Sequence, residues 1–320
     1  MIISTQSDAV SNGTLALSEA SDPQPGDFDV VINVAGAGVN RADLLQAAGH
    51  YPPPPGAPSW PGLEVSGTVA SVGAKVSKHR PGDRVVALLA GGGYAEQVAV
   101  HEDLALALPE GLDLVAAGGL MEAACTVWSN LQAADARAGQ SMLVHGGSGG
   151  VGSLAIQIGK ARGLKVVSTA GGPERAARCQ ELGADLALDY RSDDVVARIQ
   201  EGGRVDIVLD VLGAGALDAN LRCLATGGAL VIIGLQRGAR GEINLGRMLA
   251  SRLRVIGTTL RSRPHDEKAA IVEAVRQHVW PLVPGHVSPV IHTTYPLAQA
   301  QEAHDALAAG DVFGKLVLTP

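Results

Sequence analysis

The chain has 320 residues, 46% of them apolar and 41 of them glycine, with a net charge of −7 at pH 7; that is enough for two domains with full cores. The acidic balance, with only two Phe, three Trp and four Tyr, excludes a nucleic-acid or anionic-membrane surface built on positive charge and stacking. Cys125, Cys179 and Cys223 are few, odd in number and far apart, which excludes a disulfide framework or a cysteine-rich structural zinc site.

No apolar run approaches the roughly 18 residues a membrane helix needs. The start, MIISTQSDAV, lacks the basic and apolar segments of a secretion signal, so a cytoplasmic protein is expected.

The first third reads as short strands and turns. Val30–Ala35, Ser66–Val72 and Arg84–Leu89 are β-rich runs, the last entered through the turn Arg80-Pro81-Gly82-Asp83. Between them, Tyr51–Pro61 (YPPPPGAPSWP) can be neither helix nor central strand. It reads as a stiff loop, which would also hold Tyr51 in a fixed place.

After Pro109 the pattern changes. A helix is predicted over Ala116–Ala134. Strands over Ser141–His145, Lys165–Thr169, Leu186–Asp189, Val205–Asp210, Ala229–Ile233 and Arg254–Thr258 then alternate with helices over Gly152–Arg162, Glu174–Leu182, Val195–Gln200 and Leu217–Leu224. Apolar strands separated by helices mean a parallel sheet covered on both faces, the doubly wound Rossmann arrangement. Helices over Lys268–Trp280 and Leu297–Ala309 and a strand over Lys315–Leu318 close the chain.

The first strand of that series runs into Gly147-Ser148-Gly149-Gly150-Val151-Gly152, a G-x-G-x-x-G turn in strand–turn–helix context. Gly147 is expected to make the tight turn, Gly149 to let backbone approach a pyrophosphate, and Gly152 to let helix and strand pack closely. The helix N-terminus offers free N–H groups to phosphate.

The tip of the second strand distinguishes the cofactors. An NAD site carries an acid there for the ribose hydroxyls, whereas this strand ends Ser168-Thr169-Ala170-Gly171-Gly172 and runs into Pro173-Glu174-Arg175, with no acid at the tip. The glycines leave room for a 2′-phosphate and Arg175 can pair with it, so NADP(H) is favoured. Glu174 suits the helix dipole. Tyr190, beside Arg191, either closes the same pocket with its hydroxyl or is an exposed strand-end aromatic.

Segments across the whole chain carry a resemblance: Val39-Asn40-Arg41-Ala42-Asp43-Leu44-Leu45, Tyr51-Pro52-Pro53-Pro54-Pro55-Gly56, Gly62-Leu63-Glu64-Val65-Ser66-Gly67, Gly92-Gly93-Tyr94-Ala95-Glu96, Leu260-Arg261-Ser262-Arg263 and Gly314-Lys315-Leu316-Val317-Leu318. The chain resembles the zinc-free quinone oxidoreductases of the medium-chain dehydrogenase/reductase superfamily, nearest the tumour-suppressor-inducible branch. The resemblance implies an α/β chain with a GroES-like β-rich catalytic domain (1–124 and 262–320) and a Rossmann domain (125–261). It implies NADPH-dependent reduction of a quinone, with an alkenal or enone reductase as the alternative. A cofactor-binding redox sensor with little turnover is the reading from another class.

Leu63 stands where zinc-dependent relatives have a histidine of Gly-His-Glu, so no catalytic metal is expected. The branch also carries a serine at the position of Gly149. By the same resemblance, Asn40 and Tyr51 lie near nicotinamide and acceptor, as donors to a developing oxyanion, and Thr126, Gly234, Leu235, Leu260, Arg261 and Lys315 touch the cofactor. Read alone, Asn40 is a turn residue, Thr126 a helix residue bonding its own backbone, and Arg261 either a phosphate contact or a solvated side chain. A homodimer joined through Arg254–Thr258 completes the expectation.

Overall fold

A computed structural model describes residues 1–5 and 14–320. In chain order its elements are β1 (Ile2–Thr5), β2 (Leu15–Ser18), β3 (Asp29–Val39), α1 (Arg41–Ala47), β4 (Glu64–Val72), β5 (Arg84–Leu88), β6 (Gln97–His101), β7 (Ala105–Ala107) and α2 (Met121–Ala133). There follow β8 (Ser141–Val144), α3 (Gly150–Ala161), β9 (Lys165–Ala170), α4 (Pro173–Glu181), β10 (Leu186–Asp189), α5 (Val195–Glu201), β11 (Val205–Asp210), α6 (Leu217–Cys223), β12 (Leu224–Ile232), α7 (Leu245–Ser251) and β13 (Arg254–Gly257). The tail holds α8 (His265–His278), β14 (Ile291–Pro296), α9 (Ala300–Ala309) and β15 (Lys315–Thr319).

The chain divides into two compact units, Met1–Cys125 with Leu260–Pro320, and Thr126–Thr259. Cys125, Leu260 and Arg261 fall in the first unit, where the expected boundaries put Cys125 and both later residues with the Rossmann domain.

The first unit is built on a sheet ordered β14-β15-β3-β4-β5-β7, with β6 also paired to β3. Its pairings are antiparallel except β14 with β15. β3 runs to Val39, longer than the expected Val30–Ala35, because its far end pairs with β15 through Val39 and Leu316. A partner from the other end of the chain leaves no local signal for that extension. The short strands β1, β2, β6, β7 and β14 and the short helices α1 and α7 also have no counterpart in the sequence reading.

The second unit is a six-stranded sheet ordered β10-β9-β8-β11-β12-β13, every pairing parallel. Relabelled from its first strand this is the 3-2-1-4-5-6 order of a dinucleotide-binding sheet. Met142, Leu143, Val144, Val208, Leu230 and Val231 are fully buried, as expected where helices cover both faces. The expected helix over Ala116–Ala134 opens as a 3-10 turn at Ala116–Gly119 before α2, since two glycines weaken helix there.

Candidate functional site

In the second unit, β8 leads through Gly146–Gly149 into α3. Gly146 takes the left-handed turn (φ +69°), so the tight turn falls one residue earlier than expected. Gly147 is glycine for space: a Cβ there would meet Ser168 at 2.9 Å and Cys179 at 3.1 Å. At Gly152 a Cβ would lie 2.1 Å from the Gly146 carbonyl oxygen, so α3 packs against its own strand only without a side chain. At Gly149 a Cβ would meet nothing nearer than Gly146 O at 3.4 Å. The protein leaves that face open, which fits a pyrophosphate lying on backbone N–H groups.

His145, a buried residue the sequence reading passed over, braces the turn. Its Nδ1 faces Thr169 Oγ1 at 3.0 Å and its Nε2 faces Asn220 Oδ1 at 2.7 Å, which ties the end of β8 to β9 and α6. Burial holds its pKa below the usual histidine value, so the ring is neutral at pH 7.

The tip of β9 carries no acid. A Cβ on Gly171 would lie 2.6 Å from the Tyr190 hydroxyl and 3.3 Å from Arg191 Nε, and one on Gly172 would lie 3.8 Å from Arg191 Nη1. Arg237 sits over the half-exposed Tyr190 ring at 5.9 Å. Asp189, at the end of β10, accepts from the N–H groups of Gly172 (2.7 Å) and Arg191 (3.0 Å), and these bonds hold its carboxyl below the usual range. Two guanidiniums and a phenol thus gather at the glycine tip. Arg175 follows Pro173 and Glu174 in the first turn of α4; Arg191 and Arg237 are cations the sequence reading did not assign there.

Gly234 and Leu235 follow β12. A Cβ on Gly234 would meet Val211 O at 2.8 Å, and Leu235 is exposed. Thr126 is buried in α2, where its carbonyl accepts from Ser129 Oγ (3.1 Å) and Asn130 Nδ2 (2.6 Å).

In the first unit, Asn40 caps α1 and is buried. Its Oδ1 accepts from Lys315 Nζ at 2.5 Å, while its Nδ2 donates to Glu64 Oε1 at 3.0 Å and Gly38 O at 3.3 Å. Lys315 also forms an ion pair with Glu64, and both side chains are buried (4% and 0% exposed). Glu64 Oε2 accepts from the Glu122 N–H.

This geometry gives both side chains partners within the protein. The amide hydrogens of Asn40 are already engaged, so it is not a free donor. Lys315 places its ammonium on Asn40 and Glu64.

A carboxylate beside this cluster clasps the proline loop. Asp43 Oδ2 accepts from Asn40 N–H (2.8 Å) and Tyr94 Oη (3.2 Å), and Oδ1 accepts from Gly62 N–H (2.9 Å). Burial pushes the Asp43 pKa up to about 6, against the N–H bonds from Asn40 and Gly62 that lower it. Tyr94 Oη also lies 3.0 Å from His304 Nε2, and burial drives the His304 pKa down to about 4.

Arg261 makes its contacts within the first unit. It is buried, and donates to Ala90 O (2.7 Å), Tyr51 O (3.1 Å) and Gln46 Oε1 (2.5 Å). Its guanidinium lies 5.1 Å from the Tyr51 ring centroid. Gln46 in turn donates to Ser59 O (2.7 Å). Arg261 therefore fixes the backbone and ring of Tyr51 from within the first unit. The Tyr51 hydroxyl makes no hydrogen bond to any described residue, so it remains available to a ligand. Leu260, just before it, is half-buried and its carbonyl accepts from Arg263 N–H.

All three cysteines are buried. Burial raises each thiol, Cys125 well above the usual value and Cys223 to about 11.

Residues 26–110 match the family described as the alcohol dehydrogenase GroES-like domain, and residues 150–276 match the family described as zinc-binding dehydrogenase. The mouse quinone oxidoreductase (Mus musculus) is 34% identical over 314 residues, covering 94% of this chain and 92% of its own. The chain belongs to the quinone oxidoreductase family of the medium-chain dehydrogenase/reductase superfamily. It is an oxidoreductase by that membership, with the GroES-like and Rossmann architecture the sequence implied. The Escherichia coli quinone oxidoreductase solved with NADPH superposes with a TM-score of 0.87 at 28% identity, covering 100% of this chain and 99% of that one. The Thermus thermophilus quinone oxidoreductase, also solved with NADPH, gives 0.83 at 33% identity, covering 96% and 97%. The narrower expectation of the tumour-suppressor-inducible branch rests on the sequence segments alone. Among the described residues no helix is long and apolar enough to cross a membrane.

Proposed function

We propose that this chain is an NADPH-dependent quinone reductase that transfers hydride without a catalytic metal. The observation that carries the cofactor is the acid-free tip of β9, where Tyr190 and Arg191 stand over Gly171 and Gly172. A 2′-phosphate there meets guanidinium donors and no carboxylate of the β9 tip. The open face at Gly149 takes the pyrophosphate. Both NADPH-bound relatives support the same choice.

The bound nicotinamide would supply hydride from its C4. The protein's part is to hold a donor to the acceptor oxygen as charge develops there. We assign that donor to the Tyr51 hydroxyl. Asn40, braced by Lys315 and Glu64, is a positioning residue for the start of α1.

The lack of a catalytic metal is supported by two side chains. Leu63 is buried and offers no ligand atom. Glu64 is already satisfied by a built-in cation, Lys315. A quinone accepts hydride without the Lewis acid that alcohol oxidation requires.

A homodimer joined through β13 belongs to the same reading. Among the described residues that strand pairs only with β12, and its open edge is a natural pairing surface.

The test is NADPH oxidation with an ortho-quinone, a para-quinone and an alkenal in parallel. Quinone turnover that survives a chelator and prefers NADPH to NADH is expected. Turnover of the alkenal alone would make it an enone reductase. Tight NADPH binding without turnover would make it a sensor. Activity lost to the chelator in wild type and in His265→Gln alike would overturn the metal-free assignment. Tyr51→Phe is expected to lower kcat by less than about 10²-fold, the cost of one oxyanion donor where the acceptor is harder to reduce; an unchanged kcat would reduce Tyr51 to a packing role.

A further inference from the structure

Away from the nicotinamide residues, the first unit brings together two imidazoles and a carboxylate. His101 ends β6, Asp103 lies in the 3-10 turn that follows, and His265 is the first residue of α8. Asp103 Oδ2 lies 3.4 Å from His101 Nδ1 and 3.5 Å from His265 Nε2, and one ligand atom from each of the three residues falls within 4.8 Å of the others. The two rings meet edge to face at 4.3 Å.

From these residues we propose a zinc-binding clasp, distinct from the hydride-transfer chemistry. Tetrahedral zinc holds nitrogen and carboxylate oxygen at about 2.0–2.2 Å, which sets neighbouring ligand atoms about 3.3–3.5 Å apart. The two measured separations to Asp103 already match that edge. The His101 tautomer is set as well. The Asp103 N–H donates to His101 Nδ1 at 3.2 Å, so that nitrogen carries a lone pair, and this long bond is weak enough to yield to a cation. Water completes the fourth position.

His265 lines an open cavity of about 690 Å³ together with Lys268, Arg263 and Arg261, so an ion reaches it from solvent. Lys78 opposes binding. Its ammonium pairs with the other Asp103 oxygen, but the Lys78 side chain is 55% exposed and free to swing away. The bound ion would tie the start of α8 to the end of β6. Arg261, which holds Tyr51, lies four residues before that helix start.

The test uses tag-free full-length protein dialysed against zinc chloride, with bound metal counted and melting followed by circular dichroism. Wild type is expected to retain one zinc per chain and to melt about 3 °C or more higher with excess zinc. Cobalt is expected to give the visible band of a tetrahedral site. His265→Gln, at an exposed helix start, is expected to bind zinc at least tenfold more weakly with its metal-free melting unchanged. Lys78→Met is expected to tighten binding several-fold by removing the competing ammonium. Absence of stoichiometric zinc, or binding that neither variant alters, would overturn the proposal.

Discussion

The Gly146–Gly152 cradle and the Asn40–Glu64–Lys315 cluster hold their parts of the molecule by opposite means. The cradle works by what is missing: side chains are absent so that backbone can turn, pack and face a phosphate. The cluster works by what is buried: an ammonium, a carboxylate and an amide satisfy one another with almost no water. A cradle of this kind tolerates change wherever space remains. A buried charge cluster tolerates very little, because removing one partner strands the other.

The contrast is broken most directly at Lys315. Lys315→Met leaves Glu64 buried with its charge uncompensated and is expected to cost about 3–5 kcal/mol in denaturant unfolding. Adding Glu64→Gln should restore much of the loss. Equal stability of the single variant and wild type would mean that the pair holds nothing together.

The neighbouring Asp43–Tyr94–His304 chain sharpens the same point through pH. His304 titrates near 4 in the folded chain, against 6.5 as its ordinary value. Its contribution is whole above pH 6.5 and is lost as pH falls toward 4, about 3 kcal/mol at most. Asp43 runs the other way. Its folded pKa of about 6 lies above the ordinary 3.8, so its contribution is whole below pH 3.8 and is lost as pH rises to 6. In wild type the two oppose across pH 4–6. His304→Gln keeps a donor to Tyr94 and removes one slope. The stability difference between wild type and variant should therefore grow from pH 4 to 7, as read from urea titrations; a difference independent of pH would refute it.

Effects on the cradle side are smaller and fall on binding. Arg191→Ala is expected to raise the KM for NADPH by roughly 10–100-fold, the worth of a charged hydrogen bond, and to leave NADH nearly unchanged. Equal losses for the two cofactors would place Arg191 away from the 2′-phosphate. Gly149→Ala and Gly152→Ala separate space from packing. The first should fold normally and raise the KM for NADPH roughly tenfold, about 1.4 kcal/mol. The second should lower the melting temperature, since its Cβ has no room. Matching behaviour of the two variants would erase the distinction.

The same contrast explains what the sequence made legible. Glycine spacing is a local signal, so the strand–turn–helix of the cradle, the acid-free tip and the parallel sheet could be read directly. The tight turn was misplaced by one residue, because only the backbone angle of Gly146 distinguishes it from Gly147. Lys315 lies 275 residues from Asn40 and 251 from Glu64, and no periodicity links them. Arg261 lies 210 residues from the Tyr51 carbonyl it holds. Read alone, Asn40 is a turn residue and Arg261 either a phosphate contact or a solvated side chain; the resemblance makes Asn40 an oxyanion donor. Only the fold reveals that both are already engaged.

The depth of the three thiols bears on the durability of an enzyme of this kind. Quinones and enones are electrophiles that arylate or alkylate sulfur, and the reactive form of cysteine is the thiolate. With Cys125, Cys179 and Cys223 all buried and their pKa values raised, the chain presents almost no thiolate to the compounds it is proposed to consume. The core that stabilises the two units thereby also keeps the thiols from the electrophiles the chain is proposed to reduce.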